Sequence, residues 1–530
     1  MKLNKLTQVF LLPYLYIIIV LLGVSLKFYQ LDRKFFWDDE IATVLHTSGI
    51  PMDVYEKNIP VNQVLHKKYF DDLLHLNDRN LSFSDQFFGL SKMPQVTPGH
   101  YYYFIFLTRI FGDDYMVFRY FSVFLFLLSI PFLFLLTKKL FKSDLSGWIA
   151  ISLYTVSPFF QLYAQEARYY MLWSFAIILM HYLFLIASEK QTLKLWLLYI
   201  VCGFFAIHTT ILFYITLLAH FVYTLIFHKT KWKPLVISQF AIFLTSLPWL
   251  IYIFINRADI QQNLSWLMLF GNQNVFSLLH IHFNNFIDLF AYLFKLGLSD
   301  SVNIAGRWIY GVLLLIAFYL FFRKANNKQK WFVGLATLLG VICIIALDLI
   351  RSTGSSSIAR YLLLNFIGLI MLISFVIQKA IEKRAVLFGS LFLIIISIGI
   401  LSSKAVADDA AFGKRDDAYF HVKDAAQRFS GKEHILIISD FNVVVPKSYT
   451  AFLSLTHAST NENIDVIYAK PEYPDFKKNI NFNSYDKVYC MYLSVSLLNH
   501  LKEIFGSDDF KLIEKRVIYG SFDISLYGIN

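Results

Sequence analysis

Charge is scarce in this sequence. Only 16% of its 530 residues are Asp, Glu, Lys or Arg, where a soluble domain carries about a quarter. That shortfall excludes an ordinary soluble globular protein. Cysteine is scarcer still, with three residues: Cys202 and Cys343 in apolar runs and Cys490 in a polar tail. Their separation excludes a disulfide framework and a zinc-binding spacing. No clear small-residue cleavage site follows the first apolar run, so that run is expected to be an uncleaved first helix after the short basic start Met1-Lys2-Leu3-Asn4-Lys5. The tail, 405–530, has no phosphate loop, no nucleophile elbow and no catalytic cluster.

What is present is apolar: 57% hydrophobic and 18% aromatic residues, with a mean hydropathy of +0.53. Windows of about 20 apolar residues mark bilayer spans. About eleven are expected, near 8–28, 115–137, 145–163, 168–188, 194–207, 208–227, 233–255, 304–322, 331–350, 358–378 and 385–403. Tyr101–Phe111 is apolar but too brief to cross and reads as an interfacial helix. The net charge of +11 does not point to nucleic acid. Most Lys and Arg sit in short loops, such as Lys138–Lys142, His228–Lys233 and Lys379–Arg384, where they set topology. All such loops fall on one side if the N-terminus is cytoplasmic. The opposite, extracytoplasmic face then holds Leu31–His100, the Gln161–Tyr170 turn, Arg257–Val302, the Arg351–Tyr361 turn and everything after Lys404. The expected localisation is a multi-pass cell membrane.

Two architectural parts follow. Residues 1–404 form an all-α polytopic membrane domain, with juxtamembrane helices near Met52–Leu76 and Ser84–Leu90. Residues 405–530 form a small extracytoplasmic α/β domain with a partly parallel sheet. Its strands are expected at 434–439, 464–468 and 487–492, its helices at 417–429 and 494–505, and a closing hairpin within Val517–Ile529.

Acids beside a bilayer are costly and call for a reason. The run Phe35-Phe36-Trp37-Asp38-Asp39-Glu40 lies just past the first span. Neighbouring residues on a helix point apart, so Asp38, Asp39 and Glu40 cannot share one task. One can serve as general base while another is held by a cation. The bland reading is a solvated loop anchored by Trp37. In Gln165-Glu166-Ala167-Arg168-Tyr169-Tyr170, Glu166 and Arg168 sit at a span's outer mouth. They either cap a helix as an ion pair or line a pocket, where an Arg fork suits phosphate. Arg360 follows a polar turn and sits just inside a span beside Tyr361, so it either snorkels or meets a lipid phosphate. Arg119 pairs with an acid or a phosphate. His100, beside Tyr101, and His208 are more often structural than functional residues. His280 and His282 are two apart and do not converge on a metal if helical. No metal ligand is assigned, although acids at a donor phosphate can recruit a divalent cation.

Taken together, Trp37-x-Asp39-Glu40, Thr97-Pro98-Gly99-His100-Tyr101-Tyr102, Gly112-Asp113 leading to Arg119, Glu166-Ala167-Arg168-Tyr169-Tyr170 and Ala359-Arg360-Tyr361-Leu362 resemble a known set. It is that of the polytopic, lipid-dependent glycosyltransferases of the C-type fold. More narrowly, it is similar to the dolichyl-phosphate-mannose–protein mannosyltransferase superfamily, glycosyltransferase family 39, which includes the lipid A aminoarabinose transferases. The likeness covers 1–405. Three positions depart from it: Thr97 stands for His and Gly99 for Pro in His-Pro-Pro-x-Tyr-Tyr, and Ala359 for Pro before Arg360. The resemblance implies inverting transfer of a sugar from a polyprenyl-phosphate donor to a glycan, lipid or protein acceptor on the extracytoplasmic face. It implies Asp39 as general base, Arg360 with Arg168 or Arg119 on the lipid phosphate, and Glu166 and Glu40 orienting sugar or Arg groups. The acids and arginines are expected in one outward-facing hollow. The rival readings are a lipid-linked sugar transporter, which would want more mid-span charge than this chain has, and an O-antigen ligase or polymerase.

Overall fold

The structure is a computed structural model that describes residues 10, 12–74, 82–93, 96–112, 114–228, 232–271, 273–409, 427–429, 431–440, 448–470, 480–491, 493–506, 510–518 and 522–529. The principal elements, in chain order, are α1 (Pro13–Phe28), α2 (Asp38–Thr47), β1 (Leu65–His66), α3 (Lys67–Leu74), α4 (Gly99–Phe111), α5 (Tyr115–Phe141), α6 (Asp144–Thr155), α7 (Pro158–Ala164), α8 (Tyr170–Lys190), α9 (Leu193–Ile207), α10 (Phe213–Phe227), α11 (Lys233–Ile255), α12 (Val275–Asp288), α13 (Asp300–Lys324), α14 (Asn327–Arg351), α15 (Leu363–Lys383), α16 (Ala385–Asp408), β2 (Ile435–Asp440), α17 (Ser448–Ala458), β3 (Ile464–Ala469), β4 (Lys487–Met491), α18 (Val495–Phe505), β5 (Phe510–Ile518) and β6 (Phe522–Ile529).

Among the described residues, eight helices are long and apolar enough to cross a membrane: α1, α5, α8, α11, α13, α14, α15 and α16. The apolar α9 and α10 are shorter. The run expected to span at 145–163 is instead broken into α6 and α7. Pro158 cannot continue the hydrogen-bond ladder, so the chain restarts there. Ser157 Oγ accepts from Phe160 N at 3.4 Å and donates to Leu289 O at 2.6 Å. Ser403 Oγ takes up the Val156 carbonyl at 2.7 Å. The expected eleven spans therefore become eight long helices, two short ones and a broken one. The most enclosed helices are α15 and α8, with 78% and 67% of their apolar windows buried, against 22% for α11 and α13. The first two are the centre of the bundle and the last two its lipid-facing edge. The Tyr101–Phe111 segment is the helix α4.

The contacts divide the chain into two compact units: residues 1–31, 93–103 and 118–408, and residues 32–92, 104–117 and 409–530. The second unit is built on one six-stranded sheet of order β1-β3-β2-β4-β6-β5. The central β2 runs parallel to β3 and β4, while β6 is antiparallel to β4 and β5. Every residue of β2 and β3 is buried, as expected of parallel strands covered on both faces. Leu436, Ile438, Ile467, Cys490, Leu497 and Leu501 form the core between the sheet and α18. Ser494 caps α18 by accepting from Leu497 N at 3.2 Å.

The strands match the sequence expectation except that the closing hairpin is longer and begins at Phe510. Of the helix expected at 417–429, only 427–429 lie within the described residues. Among the elements not expected are α12, α17 and β1, the last of which brings the first long loop into this sheet, pairing Leu65 with Val466 and His66 with Asp465. Lys67 Nζ fixes that junction, 2.7 Å from Glu462 Oε1 and 3.0 Å from the Ser459 carbonyl.

Candidate active site

In the first unit, the turn between α7 and α8 carries Glu166 and Arg168. It is held by side chains bonding to backbone. Gln165 Nε2 donates to the carbonyls of Tyr29, Lys27 and Leu26 at 2.8, 3.3 and 3.4 Å. Gln161 Nε2 donates to Leu26 O at 2.8 Å, and Arg119 Nη1 to Leu31 O at 3.1 Å. The last carbonyls of a helix have no partner within it; the two glutamines meet those at the end of α1, and Arg119 meets one in the turn that follows. Ser122 Oγ donates to Glu166 O at 2.7 Å and Arg168 N to the same oxygen at 2.8 Å. Glu166 and Arg119 are fully buried. Lys27, on α1, is fully buried as well, with Nζ 2.7 Å from Gln161 Oε1 and 4.9 Å from the Phe126 ring centroid. Sequence reading passed over Lys27 because it closes an apolar run. Its only signal was a cation inside a span's length.

Arg360 is positioned by a second turn, 352–357. Ser352 ends α14 in the left-handed conformation, φ 52°. Asp348, buried one turn back, accepts from Thr353 Oγ1, Ser355 N and Ser356 N at 2.8, 2.8 and 2.7 Å. His282 Nε2 lies 3.0 Å from Ser356 Oγ, and Asn285 Nδ2 donates to Ser356 O at 3.3 Å. A Cβ on Gly354 would lie 2.2 Å from Phe270 Cβ, so the turn closes on that neighbour only with glycine there. Burial pushes the His282 imidazole down to about 4, partly offset by the Asp348 charge. On the same helix, burial pushes Asp288 up to about 6 against the pull of Arg307, 2.9 Å away. Neither role was foreseen.

The two turns meet at one aromatic ring. Arg360 Cζ is 5.7 Å from the Tyr170 centroid and 5.9 Å from that of Tyr361. Arg168 Cζ is 6.0 Å from Tyr170 and 5.4 Å from Tyr169. Tyr170 is itself buried edge-on against Tyr163, with centroids 4.9 Å apart. Two guanidinium forks over adjoining ring faces combine cation–π attraction with the donor geometry that suits an oxyanion.

His208 lies at a different place, the end of α9, against the start of α4. A Cβ on Gly99 would be 2.4 Å from the His208 carbonyl oxygen, so only glycine allows that approach. Tyr103 OH donates to Phe205 O at 3.3 Å along the same seam. Tyr101 is buried. The His100 side chain lies outside what is described.

The acids belong to the second unit. They open α2, where Glu40 is fully buried and its Oε2 accepts from Trp37 N at 3.4 Å. This reach-back satisfies an amide at the helix start. Asp39 is half-buried, and its carbonyl accepts from Thr43 Oγ1 at 2.8 Å. The Asp38 side chain lies outside what is described. Among the described residues, no three His, Cys, Asp or Glu side chains are grouped to hold a metal ion.

Comparison with known proteins bears on the fold. Residues 95–252 match the family described as dolichyl-phosphate-mannose-protein mannosyltransferase. No curated protein matches the chain. Among solved structures, ArnT from Cupriavidus metallidurans bound to undecaprenyl phosphate matches over 97% of both chains, with TM-score 0.54 at 11% identity. Its apo state matches with TM-score 0.53, again at 11% identity and 97% of both chains. The Archaeoglobus fulgidus oligosaccharyltransferase tethered with an acceptor peptide is a looser match, with TM-score 0.46 at 10% identity over 90% of this chain and 69% of that one. The chain is thus a polytopic membrane protein with the C-type glycosyltransferase fold of ArnT, and residues 95–252 carry the sequence signature of the dolichyl-phosphate-mannose-protein mannosyltransferases.

Proposed function

We propose that this protein is a membrane glycosyltransferase that moves a sugar from a polyprenyl-phosphate donor to an acceptor hydroxyl, with inversion, on the extracytoplasmic face. The observation that carries the reading is the convergence of Arg168 and Arg360 on Tyr170. A lipid phosphate is the anion a membrane protein meets in quantity, and paired forks bind it well. The related fold of ArnT, solved with undecaprenyl phosphate, supports the same donor class.

Asp39 takes the proton of the acceptor hydroxyl as general base. The freed oxygen attacks the anomeric carbon from the face opposite the phosphate. The bond from that carbon to the phosphate oxygen breaks, and the polyprenyl phosphate leaves with the electron pair. Arg360 and Arg168 stabilise the charge that grows on it. Of the acids, Asp39 suits the base better than Glu40, which is buried and spent on its own helix start.

The test is turnover of a polyprenyl-phosphate monosaccharide, labelled in the sugar, by the reconstituted protein. Wild type should release polyprenyl phosphate, and Asp39→Asn should not, while still inserting and folding. Normal turnover by Asp39→Asn would remove the mechanism. Use of a diphosphate-linked oligosaccharide in place of the monosaccharide phosphate would remove the donor assignment.

A further inference from the structure

The second unit joins the loop that bears Asp39 to the tail of the chain, and the joint is made twice. One joint lies beside the acid. Phe36 is fully buried, with its ring centroid 5.9 Å from that of His457 on α17. Three residues on, Asp39 stands in the first turn of α2. Behind His457, α17 is held against β3, where Phe452 meets the Tyr468 ring at 5.6 Å. Phe70 of α3 reaches the same tyrosine at 6.4 Å. Phe70, Phe452 and Tyr468 are all fully buried, and α2 packs against both α3 and α17. A close-packed interior of this kind transmits a displacement rather than absorbing it.

The second joint is a strap along the outer edge of β3. Val61 bridges Tyr468 in the parallel sense. Asn62 then takes the left-handed conformation, φ 58°, which Asn tolerates better than most residues. The chain turns back there and runs antiparallel to β3 from Leu65. Asn62 N donates to Tyr468 O at 2.8 Å, and Asn62 Oδ1 accepts from Lys470 N at 3.1 Å. Lys67, the first residue of α3, closes the strap through Glu462 and the Ser459 carbonyl. Its side chain is 7% exposed, whereas that of Glu462 is 78% exposed. A two-residue strand would do no more than cover the edge of β3, since bare edges invite aggregation. Edge cover needs backbone alone. It does not need a buried ammonium, which is rare without a partner, or a ring contact three residues from Asp39.

We propose that the tail's sheet is the mount of the general base, and that Lys67 is a positioning residue: by pinning the strap to β3 it fixes, through α3, where α2 presents Asp39. The catalytic part of this rests on the reading of Asp39 as base. Lys67 touches no reacting atom. Its leverage comes from the sensitivity of proton transfer to placement, where an error of about 1 Å can cost about a hundred-fold in rate. Arg168 and Arg360 belong to the first unit, so donor affinity and rate should come apart when the strap is loosened. Removing the Lys67 charge leaves Glu462 solvated rather than buried and unpaired, so the fold survives the change.

The test compares wild type, Lys67→Met, Lys67→Arg, Glu462→Gln and Asp39→Asn, each as the full-length protein in lipid nanodiscs. It reads turnover of a labelled polyprenyl-phosphate monosaccharide, equilibrium binding of undecaprenyl phosphate, and amide hydrogen exchange across α2. Lys67→Met, which keeps the apolar stem, should lower kcat about ten-fold or more and leave undecaprenyl phosphate binding within about two-fold. Exchange should quicken in α2 and stay unchanged in α15. Lys67→Arg should recover most of the turnover. Glu462→Gln breaks the same pair from the solvent side, so it folds even if Lys67→Met does not, and it should move kcat and α2 exchange in the same direction. Unchanged turnover and α2 exchange in Lys67→Met and Glu462→Gln would overturn the proposal. So would equal losses of turnover and phosphate binding, or a loss of folded protein with normal kcat in what remains, which is the outcome of mere edge cover. If α2 loosens in Lys67→Met but Asp39→Asn turns over normally, the base reading falls and the mount stands. If Asp39→Asn is inactive and α2 exchange never changes, the mount alone falls.

Discussion

The guanidinium carbon of Arg360 lies 5.7 Å from the centre of the Tyr170 ring. The same ring is approached by Arg168 at 6.0 Å, so two turns far apart in the chain deliver like charges to one spot. Polyprenyl phosphate binding should therefore weaken about ten-fold or more in Arg360→Ala and in Arg168→Ala. Arg360→Lys should recover little, because an ammonium has neither the fork nor the ring stacking. Tyr170→Phe should bind nearly as wild type, since it keeps the ring face. Equilibrium binding of labelled undecaprenyl phosphate reads all four variants.

The neighbouring acids should separate by phenotype. Asp39→Asn is expected to lower turnover by at least about a hundred-fold with an unchanged melting temperature. Glu40→Gln removes a buried carboxylate that accepts from Trp37 N, so its effect should fall on stability, by about 1–2 kcal/mol. Turnover per folded molecule should stay within a few-fold. Thermal unfolding combined with turnover decides between the two patterns.

Asp348 accepts two backbone amides and one hydroxyl from the turn that precedes Arg360. Asp348→Ala should leave those donors buried and unpaired, destabilising the protein by about 2–4 kcal/mol. Asp348→Asn keeps an acceptor and should cost less. It should still weaken polyprenyl phosphate binding, because Arg360 is carried by the loosened turn. A loss of stability without a loss of binding would detach Asp348 from the placement of Arg360.

His282 carries a pH signature. Its folded pKa, about 4, lies below the ordinary histidine value because burial disfavours the cation. The unfolded chain therefore binds the proton first as the pH falls. Stability from this group is full above about pH 6.5 and is lost progressively toward pH 4. His282→Gln should flatten that part of the curve of melting temperature against pH and leave the region above pH 7 unchanged.

Several features were legible in the sequence for plain reasons. Long apolar windows reported the eight crossing helices, and the continuous apolar runs of β2 and β3 reported a covered parallel sheet. Arg168 and Arg360 stood out because a charge at a span end is unusual. Their meeting on Tyr170 was not legible, since it depends on how α8 and the Ala359–Leu362 turn pack. Hydropathy read 145–163 as one span because Val156 and Phe159 are as apolar as their neighbours. The break lies at Ser157-Pro158, where Ser157 caps the new helix and Ser403 takes the Val156 carbonyl. His282 was hidden because the hydroxyl it meets, that of Ser356, is 74 positions away, and Asp348 because its nearby partners face it only once the 352–357 turn has formed. β1 is two residues long and has no periodicity to find.

That short strand also orders events in time. Leu65 is synthesised early, but its partner Val466 follows 401 positions later (466 minus 65). At about 5–20 residues per second, the segment bearing Leu65 waits about 20–80 seconds for its mate. During that interval the loop bearing Asp39 is an incomplete folding unit in need of shelter from aggregation. A nonsense mutation anywhere before Ile464 would thus harm not only the end of the protein but also the fold around an acid near its beginning.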